Sequence, residues 1–206
     1  MNDFKKVSQH YFTPEQIRKI ENTKVCIAGC GGLGSNIAHM LVRCGFRKFV
    51  LIDYDLVEEK NLNRQFFFPD QAGLLKTDAL VQNLHMINHD LATETITDKF
   101  ESFRDIKDRV KDCHIFIEAF DDPRSKATFV NGVLGSGMKV NYLIAASGIA
   151  GFGKSDDIVV KKISDTFYIV GDGSSDIKDA PPLSPRVMVV AAKQADLVLE
   201  ISLNRL

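Results

Sequence analysis

Short, nearly continuous apolar runs alternate along the chain with longer stretches in which apolar residues recur every three or four positions. Val25-Cys26-Ile27-Ala28, Phe49-Val50-Leu51-Ile52 and Ile115-Phe116-Ile117 have the length and composition of strands buried on both faces. The pattern predicts strands near 24–29, 48–53, 92–97, 113–118 and 139–145, and helices over about 34–44, 76–88, 105–111, 123–136 and 185–203. A further short helix is predicted after Thr13-Pro14-Glu15, where threonine caps and proline occupies the first turn. Strands that alternate with helices define an α/β architecture, a mostly parallel sheet with helices on both faces. The segment 148–185 breaks this rhythm with glycines, aspartates and prolines around two short β-rich runs, Ile158-Val159-Val160 and Phe167-Tyr168-Ile169-Val170. It is expected to form a small C-terminal β hairpin and a mobile crossover loop, so that 1–206 makes a single domain.

The first strand runs into Gly29-Cys30-Gly31-Gly32-Leu33-Gly34, and the second ends at Asp53. Glycines permit a tight turn and close backbone approach to a ligand, while a helix beginning there turns its free N–H groups toward an anion. An acidic residue at the end of the second strand is placed to accept hydrogen bonds from ribose hydroxyls. Such a Rossmann-like βαβ unit serves hydride carriers and ATP alike, and the polar inventory that follows separates them. Asn61, Arg64 and Gln65 come soon after Asp53 and Asp55, and Lys76 opens the next helical pattern. One guanidinium, one ammonium and two amides suit a triphosphate better than a dinucleotide pyrophosphate. At 206 residues the chain is also short for a dehydrogenase with its second nucleotide half. The strand preceding Glu118-Ala119-Phe120-Asp121-Asp122 delivers carboxylates at a strand C-terminus, where oxygen ligands suit Mg²⁺ bridging phosphates.

A formal net charge of −1 supplies no global attraction to nucleic acid or to an anionic membrane, so phosphate recognition must be local. No stretch approaches a membrane span, and Met1-Asn2-Asp3-Phe4-Lys5-Lys6 lacks the apolar core of a secretion signal, which makes the cytoplasm the expected compartment. Cys26, Cys30, Cys44 and Cys113 contain no C-x-x-C pair and are expected to be reduced and mostly buried.

Taken together, Gly29 to Gly34, the stretch Asp53-Tyr54-Asp55-Leu56-Val57-Glu58 with Asn61-Leu62-Asn63-Arg64-Gln65, then Lys76, Asp121 and Pro182-Leu183-Ser184-Pro185 resemble the adenylation domain shared by ThiF, MoeB and the ubiquitin-activating enzymes. The short chain and Glu118-Ala119-Phe120-Asp121-Asp122 are most similar to the compact ThiF proteins of thiamine biosynthesis. The resemblance implies an adenylyltransferase that uses ATP and Mg²⁺ to activate the C-terminal glycine carboxylate of a ubiquitin-like sulfur carrier ending in Gly-Gly. It makes Gly32 a backbone neighbour of the nucleotide, Asp53 the ribose ligand, Asn61, Arg64 and Lys76 phosphate contacts, and Asp121 the Mg²⁺ carboxylate, with Gln65 in the same cluster. Arg64, Lys76 and Asp121 carry the catalytic roles in this scheme. A homodimer is implied as well, with Phe66-Phe67-Phe68 as a core wall or part of a twofold interface, and Arg18 as the sole arginine before the first strand that could reach a partner's site. Longer members hold structural zinc in two C-x-x-C pairs; the last cysteine here is Cys113, so no zinc is expected. A relative acting on a molybdopterin-type carrier or a tRNA-linked carboxylate is the alternative. Simpler roles stand beside these: a turn cap for Asp55, a helix N-cap for Asp122, and surface or packing positions for His85 and His89.

Overall fold

The computed structural model describes residues 3–138 and 142–206. Seven strands form one sheet: β1 (Lys24–Ala28), β2 (Lys48–Ile52), β3 (Ala92–Ile96), β4 (Ile115–Glu118), β5 (Tyr142–Ala146), β6 (Val159–Lys162) and β7 (Phe167–Gly171). Their order is β3-β2-β1-β4-β5-β7-β6, parallel throughout except for the β6–β7 hairpin. The helices are α1 (Asp3–Ser8), α2 (Pro14–Asn22), α3 (Gly32–Arg43), α4 (Lys76–Ile87), α5 (Lys107–Val110), α6 (Pro123–Gly135) and α7 (Ser184–Asn204). The predicted start of the fifth strand at 139–141 lies outside the described residues. α1 is the one helix that the apolar pattern did not announce, and its six residues are too few to display a period.

Alternate residues of the central strands face opposite layers, as the strand period of two requires. Val25, Ile27, Phe49, Leu51, Ile115 and Ile117 share a core with α3, α4 and α7. Cys26, Ala28, Val50, Ile52 and Phe116 turn to the other side, where Phe103, Val110, Phe129 and Val133 cover them. Removing a fully buried ring such as Phe49 or Phe116 would cost about 3–5 kcal/mol. Thr13 accepts from Gln16 N–H and Gln16 reaches back to Thr13 N–H, closing a capping box that starts α2 as the sequence predicts.

β1 sits between β2 and β4, with Ile27 opposite Leu51 on one side and Ile117 on the other. From β1 the chain crosses to β2 and β3, whereas from β4 it crosses the opposite way to β5. The crossovers diverge at the β1/β4 boundary and leave a crevice beyond the C-terminal strand ends. Among the described residues no helix is long and apolar enough to cross a membrane.

Candidate active site

The turn from β1 into α3 is shaped by what glycine lacks. Gly29 has φ +98°, and a Cβ there would lie 2.6 Å from the Ala119 carbonyl oxygen; one on Gly34 would lie 1.8 Å from the Gly29 carbonyl oxygen. The turn therefore nests against the end of β4 while α3 packs onto the turn itself. Asp53, buried at the end of β2, fastens the loop by accepting from Cys30 N–H at 2.7 Å and from Asp55 N–H at 2.9 Å. Burial raises its pKa, and the Lys76 charge followed by the two N–H groups opposes this only in part.

The first turn of α3 also holds the segment that carries Arg64 and Gln65. Asn36 Nδ2 donates to the Gly32 and Arg64 carbonyls at 2.6 and 2.8 Å, and Ser35 Oγ accepts from Phe66 N–H at 3.0 Å. Arg64 is thereby laid beside the α3 N-terminus. Its guanidinium donates to Asn63 Oδ1 at 2.9 Å and Asn61 Oδ1 at 3.1 Å. The Gln65 side-chain oxygen is buried without a hydrogen-bond partner among the described residues, an acceptor left over for a ligand or water.

Lys76, the first residue of α4, is almost wholly buried and pairs with Asp55 at 2.7 Å. Burial alone would lower its pKa, but Asp53 and then Asp55 outweigh it and hold the ammonium above the ordinary lysine value. Asp121 is exposed beyond β4. Asp122 caps α6, accepting from Ser125 N–H at 2.7 Å and Ser125 Oγ at 2.8 Å.

These groups surround one cavity of about 370 Å³, whose polar half is lined by Gly32, Asp53, Asp55, Arg64, Gln65, Lys76 and Asp121. Ile149, Ile177, Pro181, Pro182 and Val187 line its apolar half. Of the residues the resemblance assigns to the nucleotide and metal, Asn61 alone stands back from the lining, touching the site through Arg64. Arg18, on α2, faces a separate hollow shared with His114 and Leu206. His114 precedes β4 and accepts from Lys24 N–H at 2.9 Å, so Arg18 lies by the N-terminal strand ends, away from its own chain's cavity. His89 falls beyond the end of α4 and does not share a helix face with His85. Phe67 is buried in the core, Phe66 stacks on His39 at 4.6 Å, and Phe68 is exposed. Among the described residues no three or more His, Cys, Asp or Glu side chains are grouped to hold a metal ion.

Two ion pairs that bury a carboxylate escaped the sequence reading, because their partners come from separate elements. Glu118, fully buried at the end of β4, pairs with Lys126 of α6 and accepts from Phe120 N–H at 2.8 Å. Arg186, near the start of α7, pairs with Asp172. Within 171–175 Asp172 accepts from Ser174 and Ser175 N–H at 2.7 and 2.8 Å, which makes a hydrogen-bonded turn.

A mostly parallel sheet, a glycine-rich turn into a helix N-terminus and a crevice at the topological switch point define a Rossmann-like α/β protein. More particularly, the chain belongs to the ThiF family, which its sequence matches over residues 5–156. Ubiquitin-like modifier-activating enzyme 5 of Arabidopsis thaliana is 49% identical over 83 residues, covering 40% of this chain and 19% of that protein. Its Drosophila mojavensis counterpart is 52% identical over 77 residues, 37% of this chain and 19% of that one. The match thus spans about a fifth of these relatives' length. Among solved structures, E. coli tRNA N6-threonylcarbamoyladenosine dehydratase, TcdA, in complex with AMP shares the fold at TM-score 0.79 and 20% identity, over 97% of this chain and 95% of that chain. E. coli MccB with AMPCPP and MccA gives TM-score 0.69 at 25% identity, over 95% of this chain and 61% of that one.

Proposed function

We propose that residues 1–206 act as one cytoplasmic adenylation domain that uses ATP and Mg²⁺ to activate a C-terminal glycine carboxylate as an acyl adenylate, releasing pyrophosphate. The substrate is a ubiquitin-like sulfur carrier ending in Gly-Gly, and thiamine (thiazole) biosynthesis is the narrower setting. The observation that carries this reading is the convergence of Arg64, Gln65, Lys76 and Asp121 from separated parts of the sequence on one cavity at the α3 N-terminus. Family membership supports adenylation, and the names of the relatives found by sequence support a ubiquitin-like substrate.

In this scheme Gly32 and the first N–H groups of α3 receive phosphate oxygens, and Asp53 receives the ribose hydroxyls. Arg64, steadied by Asn61, and Lys76 neutralise the triphosphate, while the spare acceptor of Gln65 takes a donor from substrate or water. The residues present fit Mg²⁺: Asp121 offers one exposed carboxylate at the cavity wall, and Mg²⁺ ordinarily completes its shell with phosphate oxygens and water rather than a protein cage. When bound, the ion would supply positive charge to the phosphates. The carrier carboxylate forms a bond to the α-phosphorus as the bond to pyrophosphate breaks, so no protein nucleophile is needed. What the chain contributes is alignment and charge.

ATP/pyrophosphate exchange tests the proposal directly. Exchange should require a carrier ending in Gly-Gly and vanish when the last glycine is deleted, while free glycine and tRNA should not support it. Equal exchange with tRNA would move the assignment to the tRNA-linked alternative, which the formal charge of −1 disfavours. The same reading expects a homodimer, and light scattering that gives a monomer at micromolar concentration would remove that part.

A further inference from the structure

The cavity has two chemically distinct halves, and topology says what each can hold. Asp53 and the ribose-facing side lie at the end of β2, the phosphate side lies over the α3 N-terminus, and the apolar half lies past β5, toward α7. The adenylation reading leaves this last half for the acyl substrate. Its wall is made by the loop after β5 and the crossover segment before α7, and Val187 of α7, beside Gly32, completes it. Hydrogen bonds tie the loop to the segment that follows β7: Asp172 N–H donates to the Gly148 carbonyl at 3.1 Å, Gly173 N–H to the Ser147 carbonyl at 3.0 Å and Ala150 N–H to Ser175 Oγ at 3.1 Å. Gly151 N–H donates to the Pro181 carbonyl at 3.0 Å. Arg186, 4% exposed, donates to the Gly153 and Lys154 carbonyls at 2.6 and 3.2 Å and to the Asp172 carboxylate, which itself organises Ser174 and Ser175. One guanidinium thus ties together three chain segments around Ile149, Ile177, Pro181, Pro182 and Val187.

We infer that Arg186 and Asp172 are positioning residues for the acyl substrate: their ion pair sets the apolar wall along which the extended substrate tail reaches the α-phosphate, without touching the nucleotide. The inference rests on the adenylation reading for what the wall contacts, and on the contacts alone for what holds the wall. A wall of isoleucine, valine and proline offers no partner to a charged side chain. It therefore selects tails with small or apolar residues just before the terminal carboxylate.

The test is Arg186→Met and Asp172→Asn, with Arg186→Lys as the conservative variant, in pyrophosphate exchange with a purified carrier ending in Gly-Gly. Arg186→Met is expected to raise the KM for carrier at least tenfold while leaving the KM for ATP within twofold, with partial rescue in Arg186→Lys. A carrier with aspartate in place of its penultimate glycine should be rejected by the wild type and less so by Arg186→Met. Should Arg186→Met unfold, Asp172→Asn keeps an oxygen for the Ser174 and Ser175 N–H groups and turns an NH2 donor toward the Arg186 guanidinium, which breaks the pair. Hydrogen exchange on the protein alone provides the independent readout: in either variant, protection over 148–154 and 172–182 should fall while that over 53–76 holds. Unchanged protection over the wall, or KM values for ATP and carrier that rise together, overturns the inference. A wild-type protein silent with every carrier overturns the adenylation reading, and the substrate role of the pair with it, whatever the exchange pattern says of the wall.

Discussion

Lys76→Met separates the structural work of one buried ammonium from the catalytic work proposed for it. The lysine side chain is 7% exposed and lies 2.7 Å from Asp55. Methionine keeps a flexible apolar stem, so packing changes little and charge is what disappears. Asp55 is 46% exposed; water takes over its solvation, and the lost pair is worth at most about 1 kcal/mol. Asp53 is buried, yet it already accepts from two N–H groups at 2.7 and 2.9 Å, so losing its nearby cation adds about 1 kcal/mol more. The total of about 2 kcal/mol lowers Tm by roughly 4–8 °C in a chain of this size. Removing a fixed charge from a site of developing negative charge costs about 3–4 kcal/mol, or 100- to 1000-fold in kcat/KM. Activity should therefore fall much further than stability. Pyrophosphate exchange measured well below the variant's melting temperature gives the first quantity, and a thermal melt gives the second. Because Asp53 and Asp55 hold the Lys76 pKa above the ordinary lysine value despite burial, the wild-type to variant ratio should stay flat between about pH 6 and 9. Exchange within tenfold of wild type, or a ratio that titrates in that range, refutes the reasoning.

Gly34→Ala would place a Cβ 1.8 Å from the Gly29 carbonyl oxygen and push the turn off α3, so Tm should drop by the equivalent of about 1–3 kcal/mol or more and ATP binding, read by calorimetry, should weaken with it. For Asp172, burial works to raise the pKa, but the Ser175 and Ser174 donors bring it down to about 2. A folded pKa below the unfolded one means that this group's stabilisation is complete above the unfolded value of 3.8 and is lost as pH falls through about 2. The Tm gap between wild type and Asp172→Asn should accordingly narrow across that window in acid melts, and a gap that ignores pH would contradict the assigned role of the carboxylate.

The strands that build the crevice were readable because each is buried on both sides, which turns β1, β2 and β4 into unbroken apolar runs. Gly29 and Gly34 were readable because only glycine meets their steric demand. What could not be read depends on contacts between remote segments. Ser35 and Asn36 look like ordinary polar residues in a helix, yet both are buried, and they bring Arg64 and Gln65 to the cavity. A buried polar pair in the first turn of an otherwise apolar helix is the signal that could have found them. Glu118 looked like one of several carboxylates at a strand end. The alternation along β4 instead turns it inward to Lys126, while Asp121 and Asp122 remain exposed and Asp122 is taken up in capping α6. Asp172 and Arg186 sit in a stretch of glycine, proline and aspartate whose composition reads as loose, and only the fold shows that one closes on the other.

The charge around the cavity leads to a prediction whose two halves have opposite sign. Asp53, Asp55, Asp121 and Asp122 outnumber Arg64 and Lys76 among the charged lining residues, and one of the two cations is already engaged by Asp55. A triphosphate arriving without a metal would meet Asp121 as an unscreened like charge. Were Asp121 to hold Mg²⁺, the ion would supply positive charge to the phosphates and that same carboxylate would favour binding. Asp121→Asn should therefore bind metal-free ATP more tightly than wild type, by a few-fold at this exposed position. It should also lose two to three orders of magnitude in Mg²⁺-dependent pyrophosphate exchange, with its melting temperature nearly unchanged because Asp121 is exposed. Titration calorimetry with ATP in EDTA and exchange in excess Mg²⁺ measure the two sides separately. If metal-free binding weakens along with exchange, Asp121 meets the nucleotide directly and holds no ion. If neither changes, the carboxylate at the end of β4 lies outside the reaction, and the site must find its metal ligand elsewhere.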